Sequence, residues 1–425
     1  MYFRNWQMNN TDIIIIGGGP AGLAAAISAG RAFGKRPGKV TLLEGNPACG
    51  QKLLLSGSGQ CNFTHHLPVN EFLARCKEYA NYLKPAYYGF DNDAFSSLLA
   101  EAGCASIIRA DNKVFPQSMQ ASDVRDAMVA EAIKAGVLIL TNSKVLEIHK
   151  HAEKGFIVDM ENGQQLACEK LILSSGGASY PLTGSDGKAL NFAKAVGHKP
   201  QQFRPHLQSV NIENFDSYST CAGISIPNAK VTFSSAGKSV SAIGDLLITH
   251  TGFSGPLILD NCYRFTKGME ISMCWVPGGR ELIPELHKKA KSMTILNALW
   301  NTPVPKNLLR VILDENHFDS QTTMSSLGKK QVRELVQILV DCRYIISRVN
   351  ALNTAMASAG GILLTEINAK TMQSRLCPGL YFAGEIMDYA LPTGGFNIQM
   401  AASTGWLAGL SAANTVFKLK CHKSV

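Results

Sequence analysis

The stretch that most restricts how this chain can fold is "DIIIIGGGPAGLAAAISAGRAFG", residues Asp12 to Gly34. Its isoleucines, Ile13 to Ile16, lack the polar alternation of a strand with one wet face and suit a parallel strand buried on both faces. Gly17, Gly19 and Gly22 then complete G-x-G-x-x-G, and an alanine-rich helix is expected to run to about Ala32. Each glycine has a mechanical reason: a tight turn at Gly17, close approach of a pyrophosphate at Gly19, and tight packing of helix on strand at Gly22. An anion would rest on the helix N-terminus, where free N–H groups and the helix dipole favour negative charge.

A second strand, "KVTLLE", ends in Glu44, about twenty residues past the glycines, where an acid can accept hydrogen bonds from ribose hydroxyls. A carboxylate there repels a 2′-phosphate, so FAD or NAD fits better than NADP. The order strand, glycines, helix, strand and acid marks a dinucleotide-binding unit. A glycine turn in a flavodoxin-like domain would not need the terminal acid.

The next segment, "GQKLLLSGSGQCNFTH" (50–65), crowds glycines, hydroxyls and Cys61 into one loop. Flavin disulfide reductases place two cysteines in C-x-x-x-x-C, whereas Cys49 and Cys61 are twelve apart. Cys61 without that partner reads as a packed loop residue rather than a redox thiol.

Two later segments also put glycines at strand ends. "EKLILSSGGASYPLTGSDGKALNFAKAVGH" predicts a buried strand at Leu171–Leu173, a turn through Ser175, Gly176 and Gly177, and a helix over about 187–196 stopped by Gly197. "GLYFAGEIMDYALPTGGFNIQ" predicts a strand at Leu380–Phe382, a glycine-acid turn with Gly384, Glu385 and Asp388, and a long small-residue helix from about Asn397.

These blocks resemble the flavoproteins with two dinucleotide-binding domains, and the resemblance implies that a late strand ending in A-G-E returns to the diphosphate, bringing Gly384, Glu385 and Asp388 back beside Gly17 to Gly22. More narrowly, with "THTGFSGPLILD" and "AGGILLTEI" in order between them, they are similar to the family holding the bile-acid-inducible flavoprotein reductases and the aminoacetone oxidases. The resemblance covers nearly the whole chain and implies FAD as cofactor. It places Gly17, Gly19, Pro20, Ala21, Gly22 and Glu44 on the adenosine and diphosphate, and Val145, in "SKVLEI", on adenine through its main chain. Lys52, Ser56, Gly57, Gly59, Cys61 and Asn62 match the family loop beside the cofactor. Ser175, Gly176 and Gly177 join the cofactor-binding set. Gly384, Glu385, Asp388, Gly395, Asn397, Ile398 and Gln399 match the block flanking ribitol and flavin ring, with the last helix directing its positive end at the pyrimidine edge. The chain departs from the familiar loop at Gln51, Ser58 and Gln60, where two arginines and a glycine are usual. Losing both guanidinium forks alters the substrate rim, so substrate does not carry over with the cofactor.

The middle of the chain changes character. "NAKVTFSSAGKSV" alternates apolar and polar residues, and "MEISMCWVP" reads as another short strand. Helical periodicity runs through "RELIPELHKKA" and "KKQVRELVQILVD". The expected fold is α/β: a Rossmann-like FAD-binding domain (1–200 and 357–425), an inserted β-rich domain (201–279 and 342–356), and a small helical domain nested within it (280–341). For a chain of 425 residues, several packed domains are the default.

The reaction expected is FAD-dependent electron transfer, from a reduced nicotinamide or a small amine to an organic acceptor or oxygen. No second G-x-G-x-x-G exists, so NAD(P)H would bind transiently. No Ser-His-Asp order or carboxylate pair demands hydrolysis, and the sequence names no catalytic acid or base. His65, Ser179, Tyr180 and His250 are candidates for a small-molecule substrate pocket, although His250 serves equally as part of a structural turn. The net charge of +9 is spread without a block of like charges, which favours anionic ligands and gives little weight to nucleic acid. A flavin-carrying RNA-associated protein and a non-catalytic FAD sensor are the alternatives. The cysteines form no C-x-x-C pair or zinc spacing, so no metal is expected and the thiols read as reduced. With no signal-like or spanning apolar run, a cytoplasmic protein without membrane attachment is expected, and Met8 offers an alternative start.

Overall fold

The computed structural model describes residues 9–34, 39–349 and 351–422, so the alternative start at Met8 lies outside the described residues. The chain divides into two compact units, residues 1–205 with 356–425, and residues 206–355.

The first unit is built on the isoleucine strand. Asn9–Ile16 lies parallel between Val40–Leu43 and Gln165–Leu173, and Leu138–Leu140 extends the sheet beyond Val40–Leu43. Ile13, Ile14 and Ile15 are fully buried, the outcome expected of a strand covered on both faces. Each such side chain contributes about 2 kcal/mol by leaving water. On the other side, Gly155–Met160 and Val145–His151 add antiparallel strands. The strand at the third glycine segment is longer than expected, Gln165–Leu173, because its first half pairs with this hairpin. Leu380–Phe382 runs parallel to its last three residues, so the end of the chain returns to the sheet centre.

Two helices cover one face. Pro20–Phe33 follows the glycines, and Phe396–His422 closes the chain. They pack through small residues: a Cβ at Gly405 would stand 2.0 Å from the Ala21 carbonyl oxygen, and one at Gly409 would stand 2.1 Å from that of Ala25. The spacing of four puts both glycines on one helical face, which lets the backbones approach.

The second unit holds a closed antiparallel barrel. Its strands run in the order Val210–Ile212, Gly252–Ser254, Lys238–Ile248, Ser225–Ser235, Glu270–Cys274 and Cys342–Val349. Closure removes the free edges that would invite pairing with other chains. Between the last two strands the chain forms the helices Gly279–Lys289, Ile295–Ala298, Lys306–Glu315 and Lys329–Val340. Their apolar faces, with Ile283, Leu308, Ile312 and Leu335, share one continuous core with barrel residues such as Val231, Ile271 and Trp275. Among the described residues, no helix is long and apolar enough to cross a membrane.

Candidate functional site

The glycine loop forms the floor of a cavity of about 280 Å³ in the first unit. Gly17 has φ +102°, and a Cβ there would meet the Ser174 carbonyl oxygen at 2.7 Å. At Gly22 a Cβ would stand 1.8 Å from the Gly17 carbonyl oxygen, so helix and strand touch directly. Gly19 differs, because no atom of the chain lies within 4 Å of its would-be Cβ. It caps the helix Pro20–Phe33 and, with Pro20 and Ala21, lines the cavity, leaving the first helical turn open to an anion.

Glu44 is held firmly at the end of the second strand. One carboxylate oxygen accepts from the Gly18 amide at 2.7 Å; the other accepts from the Asn46 backbone amide at 2.8 Å and from its side chain at 2.7 Å. Asn46 also donates to the Thr183 carbonyl at 3.0 Å, tying the acid to the loop at the opposite wall. Asn46 was not singled out in sequence, since a lone asparagine after a strand has no distinguishing local pattern. Val145 lines the same cavity, and so do Ser175 and Gly176 at the end of the central strand. The Ser175 hydroxyl is buried and has no hydrogen-bond partner.

Lys52 and Glu385 meet at this cavity. The ammonium donates to Glu385 at 2.7 Å and to the Ser179 hydroxyl at 2.5 Å. The other Glu385 oxygen accepts from the Ser358 amide at 2.6 Å, and the Ser358 hydroxyl accepts from the Ala178 amide at 2.9 Å. A Cβ at Gly177 would stand 2.5 Å from that hydroxyl, so the small residue admits the serine. Ser358, absent from the sequence-based set, therefore links the Ser175–Ser179 turn to the return. Gly384, φ +74°, seats this return against the glycine loop: its would-be Cβ stands 2.7 Å from that of Ala21.

Beyond Leu53, the loop leaves the cavity wall. Ser56, Gly57, Gly59, Cys61 and Asn62 build the loop's own turn rather than line that cavity. Its helical turn breaks at Gly57, Ser58 and Gly59, all with positive φ. The Ser56 hydroxyl donates to the Leu53 carbonyl at 2.6 Å, and the Asn62 amide nitrogen, in the orientation its neighbours require, donates to the carbonyls of Thr64 and Val114. Cys61 is fully buried, and burial pushes its thiol up to about 12, which suppresses the thiolate that redox chemistry needs. Cys49 and Cys61 are both free.

The last block divides in the same way. Asp388 accepts from the Gly360 amide at 3.0 Å. Gly395 has φ +89°, and a Cβ there would stand 2.8 Å from the Thr64 backbone. The Asn397 side chain accepts from the Leu391 amide at 3.1 Å and donates to its carbonyl at 2.8 Å, locking the turn before the last helix. Ile398 is half-buried in the first turn of that helix. Gln399 is fully buried and donates to the Phe90 carbonyl at 3.0 Å, so its amide nitrogen is committed inside the protein.

The substrate-pocket candidates scatter. Ser179 joins Lys52 and Glu385, and Tyr180 follows it, half-buried, with φ +53°. His65 hydrogen-bonds the Gly394 carbonyl through Nδ1 at 3.0 Å and stacks on Phe396; burial lowers its pKa, favouring the neutral ring. His250 belongs to the second unit, exposed in the turn before Gly252–Ser254.

Comparison with known proteins adds the family. The model of the HI0933-like protein Rossmann domain matches residues 11–411. The chain belongs to the HI0933-like family. Within that family it is 30% identical to the 3-dehydro-bile acid delta(4,6)-reductase of Clostridium scindens, over 94% of this chain and 98% of the relative. It is also 30% identical to the ribosomal RNA dihydrouridine synthase of Escherichia coli, over 94% of this chain and 97% of the relative. Among solved structures, the 3-ketosteroid-delta4-(5alpha)-dehydrogenase of Rhodococcus jostii RHA1 shares the fold, with TM-score 0.51 at 14% identity, covering 97% of this chain and 98% of that one.

The cavity lining fits FAD, the cofactor that the resemblance in sequence implies. The open face at Gly19, the free first turn of the helix, the anchored Glu44 and the unpartnered Ser175 hydroxyl all line one cavity.

Proposed function

We propose that this chain reduces a carbon–carbon double bond conjugated to a carbonyl, with a reduced nicotinamide as electron source. The observation that carries this reading is the pair of relatives matched at equal identity along 94% of the chain. Their names concern different molecules, a bile acid and a ribosomal RNA uridine, yet both denote saturation of a C=C bond. In a dienone and in a uracil ring alike, the carbonyl withdraws electrons, so one carbon accepts hydride and its neighbour a proton.

FAD, when bound, supplies the hydride transfer. Gly17, Gly19 and the first turn of Pro20–Phe33 would hold its diphosphate, Glu44 its ribose, and the Val145 main chain its adenine. Lys52, with two of its three N–H groups engaged by Glu385 and Ser179, has a third to offer the cofactor or the substrate. The N-terminus of Phe396–His422 would favour negative charge placed before it.

The test is an anaerobic titration of the purified protein with NADH, NADPH and small amines, followed by an enone or a uridine-containing RNA. A yellow protein bleached by a nicotinamide and reoxidised by one of those acceptors is expected. Failure to take up FAD, or bleaching by amines alone, would overturn the reading.

A second reading narrows the acceptor to a uracil base in structured RNA. The ribosomal RNA in the name of the Escherichia coli relative favours it, and the net charge of +9 is compatible with a polyanionic substrate. Saturation of uridine in RNA, with no turnover of small enones, is its expected signature.

A further inference from the structure

On the second unit, two turns lie side by side. The chain leaving the helix Gly279–Lys289 runs beside the chain entering Lys329–Val340. His287 hydrogen-bonds the Leu327 carbonyl at 3.0 Å, the Ser325 amide donates to the Lys291 carbonyl at 3.1 Å, and the Met324 amide donates to the Met293 carbonyl at 2.9 Å. These bonds set the segment carrying Lys288, Lys289 and Lys291 beside the one carrying Lys329 and Lys330, and all five lysines are exposed. Lys289 and Lys330 each face a glutamate four residues away on their own helix. Among the described residues, Lys288, Lys291 and Lys329 make no ion pair.

The same pairing continues from Met293 through Ile295, whose amide donates to the Thr322 carbonyl at 2.9 Å, and the following short helix leads to Trp300. Trp300 is 60% exposed, and the Lys306 ammonium lies 4.5 Å from its ring centroid. A groove of about 220 Å³ opens beside it, lined by Leu296, Thr302, Val304 and Leu309. An exposed indole with a cation beside it, on the same run of chain as lysines that make no ion pair, offers a flat stacking face and a set of counter-charges.

We propose that this face of the helical segment docks single-stranded or looped RNA, with a base on Trp300 and phosphates on the lysines. An acidic polypeptide would satisfy the lysines and leave the indole unused. A nucleic acid uses both, because each of its units carries a phosphate and a π-face. The proposal rests on the reading of RNA as acceptor, and it separates docking from the FAD cavity of the other unit.

The test uses the FAD-loaded full chain and a fluorescent uridine-rich RNA hairpin, with affinity measured across a salt series. The variants are Trp300→Ala, Trp300→Phe and the triple change Lys288→Ala, Lys291→Ala, Lys329→Ala. Trp300→Ala is expected to weaken binding about 5- to 100-fold, with Trp300→Phe close to wild type. The triple variant is expected to flatten the salt dependence by about two to three phosphate contacts. Flavin spectrum and bleaching by nicotinamide should be unchanged in all variants. Wild-type binding that neither change affects would overturn this docking surface while sparing the RNA reading. No RNA binding by the wild type would overturn both. Equal, Trp300-independent binding of polyglutamate would assign the lysines to an acidic polypeptide and overturn the proposal.

Discussion

Lys52 and Glu385 stand 2.7 Å apart although 333 residues separate them in the chain. The contact joins the loop after the second strand to the C-terminal return, and the Ser179 hydroxyl completes it from the third glycine segment. Both side chains are about a fifth exposed, at 22% and 23%, so each would be left poorly solvated without the other.

Removing one partner should therefore cost more than removing both. Lys52→Met and Glu385→Gln are each expected to lower stability by about 1–2 kcal/mol and to weaken FAD binding about tenfold. The double variant should lose less than the sum of the two. Thermal melts and flavin titrations would check this, and strictly additive losses would show that the pair is not coupled.

Gly19 and Gly22 should fail in different ways. Gly19 has an ordinary φ of −76° and open space around it, so Gly19→Ala is expected to fold with normal stability yet lose FAD affinity, because the methyl group enters the ligand space. Gly22→Ala is expected to be destabilised by several kcal/mol, with or without cofactor, since its methyl group would meet the Gly17 carbonyl at 1.8 Å. Circular dichroism of the cofactor-free variants beside FAD binding separates the two, and equal melting points would refute the distinction.

Glu44→Gln should keep the fold and weaken FAD binding roughly tenfold, with reduced discrimination against 2′-phosphorylated dinucleotides. The neutral amide replaces an acceptor of the Gly18 amide and withdraws the charge that repels a phosphate. Competition between NAD and NADP for the cofactor-free protein is the measurement, and unchanged discrimination would refute the electrostatic role.

Burial pushes Cys61, Cys76 and Cys168 up to about 12, from an ordinary value of 9.0. Below pH 9 both folded and unfolded thiols are protonated. Between pH 9 and 12 the unfolded chain releases protons that the folded chain retains, so stability falls as pH rises, by about 1.4 kcal/mol per pH unit for each such thiol. Denaturant melts should show this decline, and at pH 8 alkylating reagents should leave Cys61 unmodified until the protein unfolds. Rapid modification of native Cys61 would restore it as a reactive thiol.

Some of this site could be read one residue at a time. Gly17, Gly19, Gly22 and Glu44 all sit within one strand–helix–strand unit, where spacing along the chain sets spacing in space. The return of Gly384 beside Ala21 is implied by the family resemblance and not by any local pattern; the pairing of Leu380–Phe382 with Gln165–Leu173 produces it. Gln399 adds a contact that its matched block does not state: its side chain donates to the Phe90 carbonyl, at the end of a helix far away in sequence.

The strand of isoleucines, the glycine turn, the acid after it and the alternation of the second unit are legible in the residues alone, because each follows from steric and hydropathic rules acting over a few residues. The network of Lys52, Ser179, Ser358 and Glu385, and the completeness with which the packed Cys61 is closed off from solvent, emerge from the folded chain alone. Hydrogen bonds and burial between segments hundreds of residues apart depend on how sheets and helices stack. That stacking is settled by the packing of the whole core, not by any single stretch of chain.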